Sequence, residues 1–542
     1  MIAKFWWVPL CISCLTLAVL GQLTKIPDSP QYESLGGSLG SPSFHAKSGP
    51  THETTKLRRV DDGKERKERT DPHLFVDWPE NPDFVLFVSG RQNGYIEPCG
   101  CTGLENQKGG LMRRHQFMKE LEAKHWLVVP IDAGNQVRRF GIQPTLKLGK
   151  TFEALCQVMG YQAIGFGPDD LKLPTVDVLQ NMLNGMGNFN PFVSANVVLM
   201  ESAEFSSPYR VIEIGNRRIF VTMVLGQEYI DNISTSDLSI TDVETALQNV
   251  ILRIKAEKCD TAVLVAYTSI EASEQLAKQF PHFDIVVTSG GGGEPTFGPE
   301  RVETGNHITQ IIQTGAKGMH VGVVGFYSDN PIPIRYQRVP MDDRFVDSPE
   351  ITAIFKDYQK QLESLGLSGM SIQPIAHPSG RRFIGSDACW DCHSDEWEIW
   401  RHGVTQDEDE VGPHSRATLS LTEPTQRVTI QRHFDPECLS CHVTGWNPQG
   451  YFPYLSGYER LDSEVLHGNG CENCHGPAYE HVKAELGEIS ATDAELQQLR
   501  QSLRITLDQA RESLCIECHD LDNSPDFHHE GAFEEYWEKI KH

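Results

Sequence analysis

Four times in its last third the chain sets two cysteines around two residues and follows them at once with histidine. The copies are Cys389-Trp390-Asp391-Cys392-His393, Cys438-Leu439-Ser440-Cys441-His442, Cys471-Glu472-Asn473-Cys474-His475 and Cys515-Ile516-Glu517-Cys518-His519. At these cysteine and histidine frequencies a chance copy is expected on the order of 0.01 times in the chain, so four copies are a built feature. Two thiols at this spacing can add to the two vinyl groups of one haem, and the adjoining imidazole then reaches its iron as proximal ligand. Cysteine pairs spaced by two residues also hold structural zinc, but a zinc ribbon uses two pairs per metal and needs no histidine directly after each. The repeat therefore predicts four covalently bound haems c, with His393, His442, His475 and His519 as proximal ligands. So short a segment must draw much of its core from these groups, which then lie close enough together to pass electrons.

At 542 residues the chain is long enough for two or more domains. Phe5 to Leu20 are mostly apolar behind Lys4, the pattern of an export signal or an N-terminal membrane anchor over residues 1–23. Gly21 is the nearest candidate for a cleavage site, and cleavage and retention both stay open. Either outcome makes the remainder periplasmic or otherwise extracytoplasmic, where covalent haem attachment is completed. The formal net charge is -26, and from Gly380 onward 13 basic residues face 31 acidic ones, a balance of -18. Such a field excludes nucleic acid as a partner and favours cationic redox donor and acceptor proteins. The sequence leaves the oligomeric state open.

Residues 24–81 are polar, rich in Ser, Gly and Pro, with a mixed charge run from Lys56 to Arg69, which reads as a disordered spacer. Over 82–345 apolar runs alternate with amphipathic segments. Strands are predicted at Phe84–Val88, Trp126–Ile131, Ala163–Phe166, Phe192–Val198, Thr261–Ala266 and Phe283–Val287, and helices at Thr241–Lys258 and Ala272–Phe280. Val211–Ile214 and Arg218–Leu225, joined by Gly215-Asn216-Arg217, read as a hairpin. The alternation predicts an α/β domain of layered sheets and helices. A helix from Pro349 to Leu365 and a Gly/Ser/Pro-bearing stretch make up 346–382, and a mostly α, loop-rich haem region fills 383–542.

The haem region resembles the tetrahaem cytochrome c family whose members collect electrons released by hydroxylamine oxidation. The likeness rests on Ile384-Gly385-Ser386-Asp387-Ala388-Cys389, Asp435-Pro436-Glu437-Cys438, Cys471 through Pro477, Glu480-His481-Val482 and Tyr536-Trp537. It implies that most irons take a second histidine and that an iron without one can bind a small ligand. By the same resemblance His481 and His414, the latter in Pro413-His414-Ser415-Arg416-Ala417, are distal ligands. His402 rivals His414 because the acidic insertion Asp407 to Glu410 intervenes. Where the family has a histidine before Ser-Pro this chain has Asn523, so His528, His529, His433, His467 and His542 are substitutes for that ligand.

Residues 83–340 resemble the calcineurin-like metallophosphatase domain of periplasmic 5'-nucleotidases. The landmarks are Gly109-Gly110-Leu111-Met112-Arg113-Arg114, Ile131-Asp132-Ala133-Gly134 and Ser194-Ala195-Asn196-Val197. Two metals in such a site need Asp, His and Asn at fixed strand ends to activate water and clamp phosphate. Where the family has Asp-x-His this chain reads Ser89-Gly90-Arg91. The other ligand positions hold Asn135, Gly167-Pro168-Asp169-Asp170, Tyr267 and Ser289-Gly290-Gly291-Gly292. In their place stands Glu97-Pro98-Cys99-Gly100-Cys101 on the loop after the first strand, with Arg91, Arg113, Arg114 and Asp132 as neighbours. In an oxidising compartment Cys99 and Cys101 can form a small-ring disulfide, bind a soft metal, present a reactive thiol or simply close an inert loop. The Glu-Pro-Cys-Gly-Cys signature resembles that of some exported relatives of the nucleotidase fold, which implies the redox role. Cys156 and Cys259 read as buried small hydrophobes. The sequence thus predicts an exported electron-transfer protein whose phosphatase-like domain has lost its metal ligands. A metal-dependent phosphoesterase with an accessory haem module, and a haem enzyme acting on a small nitrogen or sulfur compound, are the alternatives.

Overall fold

Along strand β1 (Phe84–Ser89) every residue is buried, with Phe84, Leu86 and Val88 facing one core and Val85 and Phe87 another. That is the period-two pattern of a strand covered on both faces. The computed structural model describes residues 74–98, 107–139, 141–233, 237–328, 330–406, 410–423, 430–521 and 523–542. The signal or anchor expected over 1–23, most of the spacer, and Cys99 and Cys101 lie outside them.

After β1 the strands of the first domain are β2 (Val128–Asp132), β3 (Ala163–Ile164), β4 (Val197–Leu199), β5 (Tyr209–Ile214), β6 (Arg217–Leu225) and β7 (Leu238–Ile240). They continue with β8 (Thr261–Tyr267), β9 (Ile285–Thr288), β10 (Glu300–Thr304), β11 (His307–Gln313), β12 (His320–Phe326) and β13 (Ile334–Pro340). Interspersed are helices α1 (Leu111–Ala123), α2 (Ile142–Glu153), α3 (Thr175–Met186), α4 (Gln227–Ile230), α5 (Val243–Glu257) and α6 (Ile270–Gln279), and α7 (Pro349–Gly369) follows. One sheet has the order β13-β12-β1-β2-β3, the other β10-β11-β9-β8-β6-β5. Their inner faces meet in a core of Leu86, Val88 and Ile131 against Val221, Val263 and Val287. Helices α1, α2 and α7 cover the outside of the first sheet, and α5 and α6 the outside of the second. The domain is thus a four-layer α/β/β/α sandwich, as layered apolar runs between amphipathic helices dictate.

The expected strand at Phe192–Val198 is mostly irregular. The Asn196 side chain accepts from Leu225 N at 3.0 Å and donates to Leu225 O at 2.8 Å, taking backbone groups that a ladder would otherwise pair. The spacer expected over 24–81 stops short of its end, because Leu74, Phe75 and Trp78 pack on the main core and Trp78 stacks on Trp126 at 5.8 Å. Helix α7 breaks at Gly366, whose φ of 60° is left-handed, directly after the predicted end at Leu365.

From residue 383 onward the chain is helical and loop-rich: α8 (Ser394–His402), α9 (Leu419–Thr422), α10 (Pro436–His442), α11 (Cys471–His475), α12 (Tyr479–Glu485), α13 (Asp493–Ser502), α14 (Leu507–Gln509), α15 (Cys515–Cys518) and α16 (Ala532–Trp537). Its main protein core is small, built on Phe383, Leu439, Val443, Trp446 and Tyr458. All described residues belong to one compact unit spanning 68–542. No helix among them is long and apolar enough to cross a membrane.

Candidate functional site

The parallel register sets Ser89 beside Asp132 at the ends of β1 and β2. Ser89 Oγ donates to Asp132 Oδ2 at 2.6 Å and shares a 2.8 Å hydrogen bond with Tyr161 OH. Asp132 also accepts from Gln136 Nε2 at 2.7 Å and the Gly134 N–H at 2.9 Å, and pairs with the fully buried Arg114 at 3.4 Å. Burial raises the Tyr161 phenol to about 12, against the pull of Arg114. Asp170 is spent in the same way on the N–H groups of Gly167, Asn135, Gln136 and Val137, and burial raises its carboxyl to about 7 against these donors. Asn135 binds Asp169 at 3.2 Å and Asn93 at 2.9 Å. The two loops touch so closely that a Cβ on Gly90 would come within 2.7 Å of Ala133 Cβ.

Arg91, with a left-handed φ of 51°, reaches across to the second sheet. Its Nη1 donates to the carbonyls of Ser289 at 3.2 Å and Gly291 at 2.7 Å, on the loop where the family places late metal-binding histidines. A guanidinium therefore bridges the ends of the two sheets, and Asp132 and Asp170 are consumed by internal partners. Hard or borderline cations need several uncommitted oxygen or imidazole donors, and no group of three metal-ligating side chains occurs among the described residues. The residues do not fit a two-metal centre. Arg113 is structural as well, its Nη1 bound to the carbonyls of Gln107 and, at 3.1 Å, Met341. Cys156 and Cys259 pack at the edges of two cores, and burial pushes the Cys156 thiol up to about 12.

The haem donor set does fit. His442 Nδ1–H donates to the Ala417 carbonyl at 2.9 Å and His475 Nδ1–H to the Leu503 carbonyl at 2.7 Å, while His519 Nδ1 bonds the Ser524 hydroxyl at 3.0 Å. Engaging Nδ1 in this way fixes the ring and presents Nε2 to a metal. The motifs lie close together. Cys389 of the first neighbours Cys471 of the third, Cys441 of the second neighbours Cys518 of the fourth, and Cys474 of the third neighbours Cys515 and Cys518 of the fourth.

The second histidines are distributed differently from their order in the chain. The His414 ring lies 6.3 Å from that of His519, and the His542 ring 5.8 Å from that of His475. Metal–imidazole bonds of about 2 Å on either side of one iron put ring centres about 6 Å apart. His414 therefore stands against the fourth motif, and His542, one of five substitutes in sequence, against the third. His481, on α12, has its pKa lowered by burial and further by the neighbouring His393 of the first motif, while Glu485 opposes. His402 instead bonds the Glu410 carbonyl through Nδ1 at 2.8 Å and pairs with Glu398 through Nε2 at 3.7 Å. His528 bonds the His519 carbonyl at 2.7 Å and His467 that of Leu461 at 3.0 Å. His529 is exposed beside Asp526, and the His433 ring lies tilted against Phe434 at 3.8 Å.

The ends of β1 and β2 also carry the contacts to the haem region. Glu97 is ion-paired with Arg432 at 2.6 Å. Arg139 lies over the Tyr451 ring at 3.3 Å and reaches Glu437 at 3.4 Å, and Lys147 of α2 pairs with Glu437. Asp435 caps α10 and accepts from Gln359 at 3.1 Å and Gln143 at 3.4 Å. The sequence reading missed Lys147, Arg139 and Arg432. Only the position of Lys147 on the buried stripe of α2 with Gln143, Leu148 and Thr151 hints at a role.

The class these features define is a two-part chain, a cytochrome c-type domain behind an α/β domain of the phosphoesterase kind. The family described as "Cytochrome c554 and c-prime" matches residues 388–476, which hold the first three motifs. Cytochrome c-554 of Nitrosomonas europaea is 28% identical over 104 residues, 18% of this chain and 38% of that protein. Snake venom 5'-nucleotidase of Crotalus adamanteus is 24% identical over 255 residues, 45% of this chain and 42% of that one. The chain spans about two fifths of the length of these curated relatives. Among solved structures, the 5'-nucleotidase precursor from Thermus thermophilus aligns with 15% identity and a TM-score of 0.43 over 62% of this chain and 66% of its own. A C-terminal cytochrome c554-like domain is thus fused to an N-terminal calcineurin-like, 5'-nucleotidase-like domain.

Proposed function

We propose that this chain is an exported electron-transfer cytochrome carrying four covalent haems c, joined to an α/β domain that no longer hydrolyses phosphoesters. The observation that carries the reading is the 6.3 Å spacing of His414 and His519, repeated at 5.8 Å for His475 and His542, which suits two imidazoles sharing an iron. His481, whose pKa the neighbouring His393 lowers, is the candidate second histidine of the first motif. Each haem supplies one-electron redox chemistry when bound. The protein contributes the thioether anchors, the axial imidazoles and the close packing of the motifs. Pyridine haemochrome and intact mass should give four haems per chain. A count below four overturns the reading, as does stoichiometric Mn or Zn with turnover of nucleotides or phosphodiesters.

A second reading concerns His442. His414 lies near enough to His442 for the two to interact electrostatically, but its ring stands against His519, and among the described residues no histidine ring lies at that spacing from His442. An iron at the second motif would then be five-coordinate and open to a small nitrogen or sulfur compound. Electron paramagnetic resonance of the oxidised protein should show one high-spin ferric haem, and four low-spin signals would remove this role.

Cys99 and Cys101 complete the proposal as a redox pair. Support comes from Glu97, two residues before Cys99, whose ion pair with Arg432 ties the loop to the stretch of chain leading into the second motif. A dithiol donor that reduces the pair should reduce the haems of the native chain faster than those of the C99S/C101S variant. Equal rates would separate the two domains functionally. The partners that fit an acidic haem region are cationic donor and acceptor proteins outside the cytoplasm.

A further inference from the structure

The charges around the second motif come from both domains, and they are unevenly divided. The haem domain supplies Asp435, buried, and Glu437, half-buried, with Glu437 directly preceding Cys438 and Asp435 capping the helix that carries the motif. The cations that answer them, Lys147 and Arg139, come from the α/β domain. Arg432, the haem domain's own cation here, is taken by Glu97 of the α/β domain. Lys147 is the most enclosed of the three, its side chain 7% exposed, and its ammonium lies between Glu437 and the Tyr358 ring at 5.5 Å. Burial would raise the Glu437 carboxyl, but Lys147 and then Arg139 hold it down at about 2. Both partners are therefore ionised, and α2 delivers a fixed positive charge to the residue next to a haem-bearing cysteine.

Such a charge has a defined consequence for a redox group. Reduction of a ferric haem adds one negative charge, which a buried cation favours and a buried anion disfavours, and burial leaves the interaction poorly screened. We infer that Lys147 is a positioning residue through which the α/β domain raises the reduction potential of the second haem. The inference rests on the proposal that the motifs carry haem.

Spectroelectrochemical titration of the haem-loaded full chain tests it. In K147M one of the four haem waves should move to lower potential while the other three stay. In E437Q the same wave should move up, and in K147M/E437Q it should return towards its original place. K147R should retain the original wave. K150M removes a charge from the same helix, where Lys150 pairs with Glu153 at 2.8 Å and Asp357 at 2.7 Å, and should move no wave. Opposite shifts for the two single variants are a signature that mere loosening of the interface would not give. The inference is overturned if no wave moves in K147M and E437Q, or if both move it in the same direction. If K147M fails to load haem, E437Q and K147R decide by the same criteria. A haem count below four in the unsubstituted chain would instead sink the haem reading itself, so the two failures are distinguishable.

Discussion

At the scale of single residues, the end of β1 carries a closed network of side chains, and no group of metal-ligating residues stands among the described residues. Ser89 now binds both Asp132 and Tyr161, and Arg114 neutralises the carboxylate in full burial. Removing one partner of a buried ion pair strands the other, so R114M should cost about 3 kcal/mol of stability, measured by denaturant unfolding. S89D/N135D should not restore metal binding, because Arg91 and Arg114 still occupy the cleft. Titration with Mn followed by metal analysis checks this, and a stoichiometric ion would contradict it. The substitutions at Ser89, Arg91 and Asn135 are legible in the sequence, since a carboxylate or imidazole is either present or not. Where Arg91 goes is not, because its partners are backbone carbonyls 198 and 200 positions away.

Helix α7 shows what can be read at the scale of an element. Its amphipathic run and its Ser348-Pro349 start predict the helix, and the break at Gly366 falls where an apolar period ends. G366A forces a side chain into a left-handed backbone and should cost about 1 kcal/mol by thermal unfolding. In the first turn, Glu350 is held down at about 2 by its own backbone N–H, the Ser348 hydroxyl and Lys119. A carboxyl with a depressed folded pKa contributes stability above its unfolded value near 4.5, and that contribution is lost as pH falls towards about 2. The E350Q variant should therefore be less stable than the native chain at pH 7, by at most about 1 kcal/mol for so exposed a pair. The difference should vanish by pH 2, and a constant difference across the range would refute the assignment. Other elements are poorly legible. Strands β10 and β13 bury only one residue each and carry no long apolar run. The short helices around the motifs, three to ten residues long, are too brief for an apolar period to show. The approach of His414 to His519 is invisible in the sequence, since the two rings meet across 105 positions of chain.

On the scale of the whole molecule, the two domains share structure. Ile430 is buried in the same cluster as α1, α2 and α7, and Leu367 borders both that cluster and the small core of the haem domain. Tyr358 of α7 accepts from Gln143, which also reaches Asp435 before the second motif. Scanning calorimetry of the haem-loaded chain should therefore give one transition for both domains, and two separated transitions would show that they melt independently. The domain architecture is legible from motif order, but this joint core is not, because Ile430 and Phe434 carry no mark of the partner they meet. The guanidinium of Arg91 has a consequence at this scale too. An ion bound from solution must be acquired, can be stripped by chelators and competes with other ions. A cation built into the chain at translation never exchanges, so the shape of this cleft is independent of the metal supply of the organism.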